Sequence, residues 1–250
     1  MTKRFCALAG LLLLGPICPL FGQQQSYVTI RGMLSLPVGG FGESIGANPH
    51  VTRRNGFDVG AGASFASEGL GAGIEISLPT GAQGLSWSSG LMLIVNAADD
   101  RGLTQTFQSL LGEGEVVTFD YGYWIQLPVM TGFQYRFALS DQVDCYGIAQ
   151  GGISLIHAAT REASVSGVPV DSRSYELAQQ FGYGLGGGIV VNGKFDLGVR
   201  FLDFGEPAFD GTRSLDDAYF DESHNVLGED VILGEERPVS MVLISVGYQF

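Results

Sequence analysis

The chain has 250 residues, among them 38 glycines, 13 Lys or Arg and 26 Asp or Glu, and its formal net charge is −13. Glycine forms about 15% of the chain, twice its usual share, whereas charged residues at 16% fall well below the usual quarter. Such an acidic chain has no basic surface that could displace counterions from a polyanion. Composition therefore excludes nucleic acid as the main ligand.

The chain begins with the pattern of a secretory signal peptide. Two basic residues precede the apolar run Phe5–Leu14, and a small residue, Gly22, follows near the expected cleavage point. The run is shorter than the roughly 20 residues that a membrane-spanning helix needs. We predict that residues 1–22 are removed and that 23–250 form the mature domain. Cys145 is then the single cysteine, so no internal disulfide can form.

The mature chain alternates between apolar and polar residues with a period of two, which is typical of β-strands with two different faces. Between Val117 and Leu139 the odd positions are mostly aromatic or aliphatic, and the even positions are mostly small or polar. The apolar positions change from odd to even within 56–79, which predicts a β-bulge near 66–69. The predicted strands are 26–38, 56–79, 85–97, 117–139, 143–158, 176–191, 195–205 and 237–250.

The connections between these strands alternate between short turns and long loops. The polar face is rich in Gly, Ser and Gln, which fits a crowded interior better than a solvated surface. Lipid around the apolar face would require every backbone group to be paired, so the sheet must close. We predict an all-β fold, an eight-stranded antiparallel up-and-down transmembrane β-barrel. A secreted β-sandwich remains the alternative. The predicted outer loops are 39–55, 98–116, 159–175 and 206–236.

The chain ends in Ser245–Phe250, with alternating large apolar residues and a final Phe. With the signal pattern and the eight-strand rhythm, this segment resembles the small outer-membrane β-barrel superfamily, which includes the OmpA transmembrane domain and OmpX. The resemblance implies a bacterial outer-membrane location and contact with outer-membrane lipids. It also implies that the barrel assembly machinery recognises Val246, Tyr248 and Phe250.

A second resemblance concerns two internal segments. Leu85–Trp87 and Ile125–Val129, the latter followed by Gly132–Tyr135, are similar to PorT-like barrels. This similarity implies an accessory component of a protein secretion or surface-attachment machine, with another envelope protein as partner. It covers patterns of residues and no catalytic signature.

The lumen of an eight-stranded barrel has room for side chains or one small ligand. Charges inside it should pair, because an isolated charge in a low dielectric is costly. Arg31 and Glu75 lie on adjacent strands and are the expected direct pair, while Gln150 and Trp124 fill remaining space. We interpret the network as a structural polar plug, with a narrow conduction path as the alternative. The predicted network comprises Arg31, Glu75, Asp120, Gln126, Gln134, Arg136, Asp196 and Arg200.

Loop 206–236 contains ten acidic residues and a single Arg among several apolar residues. The acids predict a solvated outer loop, and the apolar residues indicate packing, an outer hairpin or a partner. No cofactor or metal is expected, although carboxylates could hold Ca²⁺ or Mg²⁺. Apolar residues at helical spacing in 98–116 allow a short amphipathic helix. The candidate metal ligands are Asp216, Asp217, Asp221 and Glu222.

No catalytic constellation emerges from the sequence. Ser154 and His157 are close in the chain, but strand alternation places their side chains on opposite faces. The glycine-rich segment 182–188 alternates inside a strand, which favours a thin inner wall over a phosphate loop. We therefore predict a non-enzymatic protein with a structural or surface-binding role through its acidic outer loops. An outer-surface lipid or peptide hydrolase is the third alternative, after the PorT-like role.

Overall fold

The computed structural model describes residues 26–43, 50–52, 56–58, 63–111, 116–215 and 230–250. The predicted signal peptide lies outside these ranges and stays a prediction. No helix among the described residues has the length and hydropathy needed to span a bilayer.

The described residues form fifteen strands, a 3₁₀ turn at Gly39–Phe41 and one α-helix, α1 (Asp100–Leu111). In chain order the strands are β1 (Tyr27–Pro37), β2 (His50–Thr52), β3 (Gly56–Asp58), β4 (Ala66–Pro79), β5 (Leu85–Ala98), β6 (Val117–Tyr121), β7 (Trp124–Ser140), β8 (Val143–His157), β9 (Arg161–Val165), β10 (Val168–Tyr175), β11 (Ala178–Val191), β12 (Phe195–Asp203), β13 (Ala208–Leu215), β14 (Asp230–Glu236) and β15 (Ser240–Gln249).

Eight of these strands close into a barrel in the order β1-β15-β12-β11-β8-β7-β5-β4. Every neighbouring pair is antiparallel, and β1 pairs with β15 from Thr29 opposite Gln249 to Pro37 opposite Met241. This pairing leaves the barrel without a free edge, as the up-and-down topology requires. The predicted eight-stranded antiparallel barrel is therefore confirmed.

Side chains alternate along the barrel strands between an apolar outer surface and a polar or small interior. In β1, Ile30 and Leu34 are 52% and 40% exposed, whereas Thr29 and Arg31 are almost completely buried. The same alternation gives a belt of exposed apolar side chains around the whole barrel. This distribution is the reverse of a water-soluble protein, in which large apolar patches on the surface are rare. Examples on other strands are Leu70, Leu91, Phe133, Leu185, Leu197 and Val246.

The barrel has a turn end, where short turns join the strands, and a loop end, where the connections are long. At the loop end five strands form a second sheet in the order β14-β13-β10-β9-β6. Each of these strands directly precedes or follows a barrel strand in the chain, so part of the barrel wall continues beyond the loop end. Predicted loops 159–175 and 206–236 thus contain β-strands, and 98–116 contains α1. The hairpin β2–β3 lies in the region predicted as the first loop and the start of the second strand.

Two predicted strands differ from the observed ones. The strand predicted at 117–139 is interrupted at residues 122–123, so that β6 joins the second sheet and β7 the barrel. The strand predicted at 56–79 enters the barrel only at Ala66, after Phe65 adopts a positive φ of 47°. The β4–β5 register shifts between Ala66 and Gly69, which confirms the predicted bulge.

A single apolar core fills the loop end of the barrel and continues onto the buried face of the second sheet, which we call its inner face. Trp124 lies at the centre of this core, with ring centroids 5.4 Å from Phe41 and 5.8 Å from Phe209. Helix α1 contributes Leu103 and Phe107, both buried. The barrel and the second sheet are therefore joined by continuous side-chain packing.

Candidate functional site: the filled lumen and the second sheet

Four charged side chains form an ion network across the lumen. The Arg31 guanidinium lies 2.9 Å from a carboxylate oxygen of Glu75 and 3.1 Å from one of Asp196. Arg200 approaches the other oxygen of Glu75 at 2.9 Å. The expected Arg31–Glu75 pair is present, and its partners come from β1, β4 and β12. Two bases and two acids balance, so the network adds no net charge to the lumen.

Hydrogen bonds hold this network in place. Arg200 donates to Oε1 of Gln150 at 2.9 Å, and the Tyr146 hydroxyl donates to Asp196 at 3.1 Å. Gln150 in turn donates to Ser88 at 3.1 Å. A cavity of about 20 Å³ beside Arg31 has room for about one water molecule. The network is therefore closely packed as well as neutral.

Apolar side chains, together with the buried polar side chains of Ser35, Asn96 and Gln126, fill the lumen between the ion network and the loop end. Met33 and Leu243 line the small cavity together with the network, and Met130 and Met241 are fully buried. Trp124 follows, and its Nε1 donates to the carbonyl oxygen of Ser64 at 3.1 Å. The barrel interior thus passes from an ionic layer to a methionine-rich layer and then to the aromatic core.

The turn end of the lumen is open and polar. Arg136 donates twice to Oε1 of Gln249 at 3.2 Å and lies 4.5 Å from the ring centre of Tyr27. These residues line a cavity of about 660 Å³. Gln134, one alternation further into the barrel, is buried. Gln126 is also buried inside the barrel wall, so seven of the eight predicted network residues face the lumen.

The predicted position of Asp120 is wrong. The break at 122–123 reverses the facing of the strand, so that odd residues of β6, such as Phe119, are buried and Asp120 is exposed. Asp120 belongs to the second sheet, outside the lumen. The three residues of the predicted assembly signal all point outwards at the final strand, with Val246, Tyr248 and Phe250 62%, 36% and 71% exposed.

The inner face of the second sheet carries a row of arginines that the sequence analysis missed. Arg161 lies opposite Arg173, and Arg173 lies opposite Arg213, on three adjacent strands. Like charges in directly opposite positions destabilise a sheet unless other groups compensate. Asp171 does so, with oxygens 3.5 Å from Arg161 and 3.3 Å from Arg213, and Glu235 lies 3.4 Å from Arg173. Arg161, Ala163 and Val165 occupy alternate positions of β9, so the sequence pattern could have placed Arg161 on the same buried face as the two apolar residues.

The environment of this row changes the proton affinity of its members. Burial alone would raise the pKa of Glu235. The charges of Arg237 and Arg173 act in the opposite direction and outweigh burial, so the pKa of Glu235 lies below its ordinary value. Burial lowers the pKa of Arg173, and the charge of Arg161 lowers it further. Glu235 therefore carries a negative charge at neutral pH that the arginines require.

Among the described residues, the contacts of the other candidate sites support neither catalysis nor metal binding. Ser154 is buried in the lumen while His157 lies on the opposite face of β8, as alternation predicts. Within the described ranges, no three His, Cys, Asp or Glu side chains come close enough to hold a metal ion. The candidate ligands Asp216, Asp217, Asp221 and Glu222 lie outside the described residues.

No protein-family model matches the chain. No curated protein matches it either.

Three solved structures of outer-membrane barrels are similar to this chain. Neisserial surface protein A is 11% identical, with a TM-score of 0.41 over 90% of this chain and 95% of that chain. Ail of Yersinia pestis, solved with the heparin analogue sucrose octasulfate, is 10% identical, with a TM-score of 0.39 over 90% and 97%. OprG of Pseudomonas aeruginosa is 12% identical, with a TM-score of 0.41 over 90% and 95%. None of the three is described as PorT-like.

Proposed function

We propose that this protein is a non-conducting β-barrel of the bacterial outer membrane, which anchors the second sheet at the cell surface as a binding surface. The observation that carries the proposal is the filled lumen. The ion network, the methionine-rich layer and the aromatic core occupy it in succession from the interior to the loop end. Because side chains of the described residues occupy the barrel from the ion network to the loop end, the part of the molecule available for function is the part beyond the barrel.

The membrane location follows from the apolar belt on the barrel wall. Exposed Leu, Ile, Val and Phe side chains surround a closed sheet, and the hydrocarbon core of a bilayer is the apolar environment that suits them. The short turns then face the periplasm, and the second sheet faces the exterior. Outward-pointing Val246, Tyr248 and Phe250 are accessible to the barrel assembly machinery before the strand is covered by lipid.

Single-channel recording tests the proposal directly. The refolded processed chain, 23–250, should insert into planar bilayers without producing conductance steps, because side chains block the lumen across its whole section. A water-filled porin recorded in the same bilayers serves as the positive control. Reproducible conductance steps from the pure protein would show an open path and would exclude a role limited to anchoring.

A further inference from the structure

Arg136 reaches across the open turn end of the lumen from one wall to the opposite one. It lies on β7, and both terminal nitrogens of its guanidinium donate to Oε1 of Gln249 on β15 at 3.2 Å. These two strands face each other, because four steps separate them in either direction around the closed barrel. The backbone N–H of Arg136 donates to the carbonyl oxygen of Gly84 at 2.7 Å. The guanidinium is therefore held across the turn-end cavity.

The partners of this guanidinium do not satisfy it fully. Its two terminal nitrogens share one neutral amide oxygen, and the buried Nε has no hydrogen-bond partner among the described residues. The closest ion pair in the described part of the chain is with Asp144, at 4.0 Å, and that carboxylate is 33% exposed. The fork of a guanidinium matches the two charged oxygens of a carboxylate through parallel hydrogen bonds. Arg136 can therefore bind a stronger acceptor than its present neighbours supply.

A second polar side chain lies at the inner end of this cavity. Gln134 is one alternation deeper on β7 and only 1% exposed, and strand alternation directs its side chain into the lumen. Neither its amide oxygen nor its amide nitrogen has a hydrogen-bond partner among the described residues. Ser86, which lines the cavity, lies directly opposite Gln134 on β5. A ligand that enters from the turn end would give this buried amide the partner that buried polar groups require.

The size and lining of the cavity indicate what kind of ligand it suits. Its volume of about 660 Å³ falls within the range of roughly 300–1,000 Å³ that is common for small-molecule sites, and far exceeds that of an isolated carboxylate group. Ser26, Gln83 and Ser86 line it with hydroxyl and amide groups. These groups match the alternating donors and acceptors of a peptide backbone better than they match a hydrocarbon chain.

We propose that the turn-end cavity binds the free carboxyl terminus of a peptide. The terminal carboxylate pairs with Arg136, and the amide of Gln134 hydrogen-bonds to the last residues. Asp144 repels a second negative charge, so a neutral or basic residue before the terminus is preferred over an acidic one. The site lies at the opposite end of the barrel from the second sheet, and it does not depend on what that sheet binds.

Peptide titration tests the site. The refolded processed chain in phosphatidylcholine nanodiscs is titrated with a peptide Gly-Gly-Gly-Lys-Ala that carries fluorescein at its amino end. We expect saturable binding of the free acid, and binding at least about tenfold weaker when the same peptide ends in an amide, because the charged pair with Arg136 is lost. Long-range attraction to a chain of net charge −13 would instead favour the amide, which is one unit more positive. Equal or tighter binding of the amide would overturn the proposal.

Two variants and a matched control locate the binding. Arg136→Met should weaken binding of the free acid at least about tenfold. Gln134→Leu should also weaken it while leaving thermal stability unchanged or higher, because the amide it removes has no partner in the described structure. Lys194→Met removes the same charge at the same end of the barrel, but Lys194 is exposed and does not line the cavity. It should change the affinity less than about twofold, and an equal loss in Arg136→Met and Lys194→Met would contradict the site.

The role of Asp144 has its own test. A peptide with Glu in place of Lys should bind more weakly than the Lys peptide, and Asp144→Asn should reduce this difference because the repelling charge is gone. A difference that Asp144→Asn leaves unchanged would contradict selection by Asp144.

A folded carrier protein that ends in Gly-Gly-Gly-Lys-Ala distinguishes the two sources of such a terminus. Binding of the free peptide alone supports the site and identifies short peptides as its ligands. Binding of both supports it and adds the termini of whole proteins. Binding of neither overturns it, and leaves the absence of conductance, on which the proposed function depends, as a separate measurement.

Discussion

Arg31 joins three strands of the barrel through two carboxylates that come from distant parts of the chain. Its guanidinium contacts Glu75 on β4 and Asp196 on β12, and only 7% of its side chain is exposed. Burying such a network costs desolvation energy, which the surrounding hydrogen bonds offset. The network therefore fixes the register of β12, β1 and β4 in this part of the wall more than it adds to the net free energy of folding.

Replacing Arg31 by Met should destabilise the barrel by about 3–5 kcal/mol, because Glu75 and Asp196 would keep buried charges with less compensation. Urea unfolding in detergent micelles, followed by the mobility of folded and unfolded bands, measures this change. Arg136→Met is the control, because 20% of that side chain is exposed and its nearest carboxylate is 4.0 Å away. Equal destabilisation by the two substitutions would contradict a special role of the network.

The sequence predicted one contact of the network and could not predict the others. Arg31 and Glu75 lie on neighbouring strands at similar distances from the turn end, so alternation alone placed them together. Asp196 reaches Arg31 over Gly247, which lies between them in the same row of the wall, and Arg200 reaches Glu75 from three strands away. The register of the closed barrel decides both contacts. Asp120 was misplaced because the interruption at residues 122–123 changes the buried positions from odd to even. The apolar pattern of the sequence continues through this interruption and does not reveal it.

At the level of elements, the barrel strands were predictable and the second sheet was not. Long, strictly alternating strands such as β7 and β11 leave a strong period-two signal over 17 and 14 residues. The strands of the second sheet have five to eight residues, and charged residues occupy its inner face. In the sequence, a charged residue such as Arg161 or Asp171 is typical of a loop. Its burial is understandable only when the neighbouring strands place an oppositely charged side chain beside it.

The second sheet should lose stability in acid before the barrel does. The folded-state pKa of Glu235 lies below its unfolded value, so its contribution to folding is present above that unfolded value and is lost as pH falls through the folded value. Hydrogen exchange and limited proteolysis should show opening of β10, β13 and β14 below about pH 4. Glu235→Gln should be less stable at neutral pH and should show a smaller change on acidification.

At the scale of the whole molecule, the distribution of polarity requires a membrane. Apolar side chains cover the outside of the barrel, and a charged network occupies the inside. The processed chain should therefore refold with detergent or lipid into a form whose gel mobility changes on heating, and should aggregate without them. Sedimentation after detergent removal measures this. A compact, dispersed monomer in plain buffer would contradict the account of the belt.

Closure of the barrel by β1 and β15 has a consequence for how the protein is built. Once this seam has formed, packed side chains fill the interior, and no peptide could be threaded through it afterwards. With the loop end facing the exterior, as proposed, the strands of the second sheet must cross while the wall is still open. We expect joining of the first and last strands to be the final step of biogenesis, which ties export of the surface region to completion of the wall.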